Sequence, residues 1–71
     1  MNTKFYRRSN DIIRMRPKHK YIEYYHKGEW LRHPYYTREW LNESLDLTLK
    51  GIKGEIPMVE ITEGDAMVEV L

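Results

Sequence analysis

Residues 21–33, YIEYYHKGEWLRH, carry the pattern that most limits what this chain can fold into. Strand-forming Tyr, Ile and Trp residues flank Lys27-Gly28, and a glycine in a two-residue connection signals a tight β-hairpin. Such a turn fixes a register. Tyr25 faces Trp30, Tyr24 faces Leu31, Glu23 faces Arg32 and His26 faces Glu29. Two of these pairs are aromatic or apolar and two can carry opposite charge, and such cross-strand pairs contribute roughly 0.2–1 kcal/mol each. A one-residue slip would set Ile22 beside Arg32 and Glu23 beside Leu31. The hairpin therefore has one face of Ile22, Tyr24, Leu31 and His33, and another of Tyr21, Glu23, Tyr25, Trp30 and Arg32.

After the extended segment at Pro34, residues 37–50 read as a helix. Thr37 is the expected N-cap, Glu39 places an acid in the first turn, and Gly51 ends the run. Trp40, Leu41, Leu45, Leu47 and Leu49 spread along one broad side at 100° per residue. Ser44 and Thr48 near its middle let the helix lie close to a sheet. Residues 56–71 read as a second hairpin turning at Glu63-Gly64. It opposes Ile61 to Ala66, Val59 to Val68 and Pro57 to Val70, with Pro57 at an edge because it lacks a donor. Residues 11–16 alternate as a strand ended by Pro17, and residues 1–10 are polar, basic and expected to fray.

The expectation is an α+β fold. It is a small single domain over residues 1–71, with an antiparallel sheet built from a β-hairpin or three-strand meander, one α-helix and a C-terminal β-hairpin. The expected core is Ile22, Tyr24, Leu31, Leu41, Leu45, Leu49, Val59, Ile61, Val68 and Val70. At 71 residues the chain has room for one small core, since a domain of this size buries only about 60% of its unfolded surface. Cysteine is absent, so disulfides, thiolate zinc sites and thiol nucleophiles are excluded. No apolar run approaches the ~18 residues of a membrane helix, and no basic start leads into an apolar stretch. A cytoplasmic protein without membrane contact is expected.

The net charge of +1 hides an asymmetry. Residues 1–33 hold nine basic and three acidic residues, a balance of +6. Residues 34–71 hold three basic and eight acidic residues, a balance of −5. Such a split means either a partner of one sign or two halves matched internally. All nine aromatic residues fall within the first 40 positions, more rings than so small a core can hide.

No catalytic constellation stands out. His19, His26 and His33 are seven apart, and a metal needs ligands that converge on one point; the hairpin register keeps His26 and His33 apart, so no metal or cofactor is expected. His26 beside Glu29 on an exposed turn lacks the cleft that perturbs a catalytic pKa. Glu39, Glu43 and Asp46 form an acidic helix face, with Asp46 and Lys50 spaced for an ordinary i,i+4 pair. The isolated glycines make no nucleotide loop. No motif ties the chain to a known family.

The outer hairpin face is the strongest functional signal. Tyr21, Tyr25 and Trp30, with Lys27 and Arg32 beside them, match the residue types of protein-binding hot spots. The leading expectation is a small non-enzymatic protein that docks on an unidentified partner protein through these five residues, with inhibition of that partner as one possible outcome. The alternative is a nucleic-acid-binding module, with Arg14, Arg16, Lys18 and Lys20 on phosphates and rings stacking on bases. A third reading is a very small nuclease using His26, Glu29 and Arg32 or Tyr25. A homodimer through an edge strand, with an apolar rim of Met58, Met67 and Leu71, is also open.

Overall fold

The computed structural model describes residues 2–70. Five strands form one antiparallel sheet: β1 (Lys4–Arg8), β2 (Asp11–Met15), β3 (Tyr21–His26), β4 (Glu29–Thr37) and β5 (Met58–Ile61). Helix α1 (Arg38–Lys50) joins β4 to β5, and α2 (Glu63–Val70) follows β5. The strand order is β4-β3-β2-β1-β5. Strands β1 to β4 are thus a meander, and α1 carries the chain across the sheet to its far edge. The α+β class holds.

The β3–β4 hairpin forms in the expected register, Tyr25 with Trp30 and Glu23 with Arg32. Its two turn residues, Lys27 and Gly28, both have positive φ, 48° and 86°. That is the backbone a primed two-residue turn requires, so the glycine fills a position that other residues enter at a cost. Helix α1 also forms as expected. Trp40 N–H donates to the Thr37 hydroxyl at 3.3 Å. Gly51 adopts the left-handed conformation, and Gly51 and Ile52 donate back to Thr48 and Leu47, the pattern of a Schellman ending. Thr48 donates to Ser44 O and accepts from Met58 N–H at 2.9 Å, which ties the helix to the start of β5.

Three expectations fail. The fraying expected of residues 1–10 does not hold for Lys4–Arg8, which is an interior strand paired with both β2 and β5. Phe5 and Tyr6 are both buried, and they point to opposite faces because side chains alternate along a strand. A strand buried on both sides shows no alternation, and the flanking basic residues disguise it. The C-terminal hairpin is replaced by β5 and α2. Thr62 accepts from Asp65 N–H at 3.0 Å and caps a helix, with the Thr-x-x-acid spacing of a capping box. Glu63 and Gly64 are therefore its first turn.

The third failure lies in the core. Sheet and helices make two layers of packing, one on each face of the sheet. Tyr6, Ile13, Met15, Ile22, Leu41 and Met58 pack under α1. Phe5, Ile12 and Ala66 pack under α2, with Tyr25, Trp30, Ile61 and Val70 against them. Of the expected core, Ile22 and Leu41 are buried, while Tyr24, Leu31, Leu45, Ile61 and Val70 are half-buried. Leu49, Val59 and Val68 are exposed: Val59 and Val68 lose the apolar hairpin face they were expected to share, since α2 replaces its second strand, and Leu49, in the last turn of α1, is turned to solvent. Leu71, placed in the expected apolar rim, and Met1 lie outside the described residues. No helix among those residues is long and apolar enough to cross a membrane.

Candidate functional site

Strand β4 is an edge strand, and its pairing with β3 breaks in one place. Between the Glu23–Arg32 and Tyr21–Thr37 pairs, β3 has one residue, Ile22, and β4 has four, His33 to Tyr36. The excess lies around Pro34, which cannot donate to a ladder. A bulge re-aims side chains out of the sheet pattern, and this one re-aims three rings.

The His33 side chain holds the bulge. Its Nδ1 accepts from the backbone N–H of both Tyr35 and Tyr36, each at 3.1 Å. A neutral imidazole that accepts at Nδ1 carries its proton on Nε2. Burial pushes the His33 pKa below its ordinary value of 6.5, in keeping with a neutral ring. His33 stacks on Tyr36 at 4.0 Å between centroids, and Tyr36 stacks on Trp40 of α1 at 4.1 Å. Tyr24 meets His33 edge-on at 5.7 Å, and the Arg8 guanidinium lies 5.6 Å from the Trp40 ring centre. These groups, with Asp11 and His26, line an open cleft of about 200 Å³. His26 and His33 face the same cleft with Tyr24 between them. Tyr35 stands at the crest of the bulge, 80% exposed, with its ring 6.2 Å from His33.

The opposite face of the same hairpin carries the residues singled out from sequence. Tyr21, Tyr25 and Trp30 are half-exposed, and Lys27 and Arg32 are exposed. Tyr25 and Trp30 also do structural work. The Tyr25 hydroxyl donates to Val70 O at 3.0 Å, pinning the end of α2. Trp30 lies between Phe5 and Tyr25, with ring centroids at 6.1 and 5.5 Å, and the Arg14 guanidinium covers it at 4.5 Å. Lys20 and Arg32 both sit over Tyr21, at 5.5 and 5.3 Å.

Of the four residues considered for phosphate contacts, Arg14 and Arg16 are engaged. Glu23, nearly buried, accepts from Arg14 Nε at 2.7 Å and from Arg16 Nη2 at 3.0 Å. Arg16 Nε also lies 2.8 Å from Glu23 Oε1 but is misaligned and makes no hydrogen bond. Lys18 and Lys20 are exposed and make no ion pair among the described residues. Burial pushes the Glu23 pKa up, but the hydrogen bonds and charges of Arg14 and Arg16 outweigh it, and the carboxyl titrates below its ordinary 4.5. A carboxylate with a lowered folded-state pKa contributes stability above the unfolded-state value and loses it as pH falls through the folded-state value. Glu23→Gln is therefore expected to cost about 1–2 kcal/mol near neutral pH. The deficit should shrink below pH ~4.5, as urea melts of both proteins across pH 3–7 would show.

The charge split is not neutralised by pairing between the halves. Of the four ion pairs among the described residues, only Arg7–Glu69, at 3.1 Å, joins them. Arg14–Glu23 and Arg16–Glu23 lie within the basic half, and Asp46–Lys50 within the acidic half. Along the β3–β4 edge, Lys18 and Lys20 before β3 and Lys27 and Arg32 at its hairpin make no ion pair among the described residues.

Sequence reasoning missed Tyr35, Tyr36, Trp40 and Arg8 as members of a site. The available signal was Pro34 inside a strand-like run, followed by two tyrosines. No family model, no curated protein and no solved structure matches this chain.

Proposed function

We propose that the chain is a small non-enzymatic binding protein that docks on a partner protein through the β3–β4 end of its sheet, with Tyr35 as the central anchor. The observation that carries this reading is the bulge. Four residues replace one, a histidine side chain occupies two backbone donors, and the outcome is a tyrosine held in solvent. Tyr35 buries little and stabilises little where it stands. Large rings fixed on the surface beside Arg and Trp are the residue types that dominate binding energy when a partner covers them. A ring whose backbone is already fixed also loses less entropy on binding. Tyr21, Lys27 and Arg32 extend the surface around the edge strand. The unpaired lysines and Arg32 favour a partner with an acidic rim around an apolar pocket, since complementary charge steers the encounter.

The nucleic-acid reading ranks second. Arg14 and Arg16 share the one carboxylate of Glu23, which occupies donors of both and leaves Lys18 and Lys20 as the unengaged phosphate contacts. A capture experiment separates the two. Immobilised wild-type protein and the Tyr35→Ala variant are exposed to lysate with and without nuclease. Docking predicts a protein band that survives nuclease and is lost with Tyr35→Ala, while the variant keeps the wild-type melting curve. A bound fraction that disappears with nuclease and with added salt transfers the site to nucleic acid, because phosphate contacts release counterions.

A further inference from the structure

On the same side of the sheet as α1, but around Lys4 rather than Arg8, lies a second open cleft of about 390 Å³. That is within the size range of small-molecule sites, about 300–1,000 Å³. Its floor is apolar, from Met15 and Leu41, and its rim is Lys4, Arg38 and Asn42, with Tyr6 in the wall. No acidic residue lines it, in a chain with eleven acids. Neither Lys4 nor Arg38 makes an ion pair among the described residues. Arg38 is fixed in place: its Nη2 donates to Arg16 O and His19 O, both at 3.0 Å. A guanidinium held by backbone carbonyls, with no ion pair of its own, keeps its remaining donors oriented, although its charge also reaches the exposed Glu39 beside it.

We propose that this cleft binds a small organic anion, a carboxylate or phosphate monoester on a compact apolar body. The anionic head sits between Lys4 and Arg38 and accepts from the Asn42 amide, and the body rests on Met15 and Leu41. Arginine and lysine together are suited to such oxygens, the first as a fork of donors and the second as a point charge. The Tyr6 phenol keeps its proton as a further donor. Burial and the charge of Glu60 on β5 raise its pKa, against a smaller opposing effect of Arg38. Glu60 is itself exposed and forms no part of the wall.

The test is an NMR titration of the full chain with phenyl phosphate, benzoate and neutral benzamide. The expected result is saturable shifts at the Asn42 side-chain amide, the Leu41 amide and the Arg38 Nε–H with both anions, and none with benzamide. Whichever anion binds tighter assigns the site to phosphate monoesters or to carboxylates. Lys4→Gln should weaken binding tenfold or more. Asn42→Asp, an exposed helix position where an acid leaves the fold intact, should abolish it. Binding of benzamide equal to benzoate overturns the proposal. So do non-saturating shifts shared with Lys18, Lys20 and Lys27, or affinities unchanged in both variants.

Discussion

Ile22→Ala is expected to lower the unfolding free energy by about 3 kcal/mol, the middle of the range for a buried isoleucine cut to alanine. Ile22 is 1% exposed and is the single β3 residue opposite the four-residue bulge of β4. It packs in the cluster beneath α1 with Ile13, Leu41 and Met58, against which Tyr36 of the bulge also rests. A chain of this length has about 4–10 kcal/mol of stability in total, and each kcal/mol shifts the melting temperature by about 4–8 °C. The melting temperature should therefore fall by at least ~12 °C, as thermal circular dichroism would show. Its particular signature is local. The Tyr35 and Tyr36 amides, held by His33, should exchange with solvent sooner than the amides of β1 and β2, because the bulge loses its support first. Uniform loss of protection across the sheet would mean that the bulge is not an independent unit.

The second large effect separates structural rings from binding rings. Trp30→Ala should cost about 2–3 kcal/mol, below the full value for a core tryptophan because the ring is half-exposed. The loss comes from Phe5 and Tyr25 on either side and from the Arg14 cation above the ring, a contact that contributes about 0.5–1 kcal/mol at exposed sites. Tyr35→Ala should stay within ~0.5 kcal/mol of wild type, as surface changes do. If both variants melted like wild type, the packing of α2 against the hairpin would be wrong. Because Trp30 is structural, Tyr35→Ala is the cleaner probe of docking.

The legible parts of the fold were those with local chemistry. The Lys27-Gly28 turn fixed its own register through four complementary pairs. Thr37 and Gly51 bounded α1. Their determinants lie within a few residues of one another. The illegible parts depended on partners far along the chain. Phe5 and Tyr6 are explained by β5, more than 50 residues away, and without it two adjacent rings in a basic segment look like a tail. The stretch from Ala66 to Val70 fits both period two and period four. Thr62 and Asp65 decide for the helix, but Glu63-Gly64 imitates a turn between them. The site was half legible for the same reason. The aromatic wealth and basic character of the hairpin stood in the sequence, as did the division of its faces. Its anchor depends on a bulge that only the β3–β4 pairing reveals. Pro34 marks a break there but not its size.

We propose that the protein meets its partner at the crest of that bulge. This docking is tested most directly by placing a photo-crosslinking phenylalanine analogue at Tyr35 in one protein and at Leu49 in another. Leu49 is 87% exposed, at the far end of α1, and Tyr35 80%, so the two probes have similar access to solvent. The expected result is a single protein partner crosslinked from position 35 and not from position 49. Crosslinking from position 49 alone, or equally from both, would contradict it.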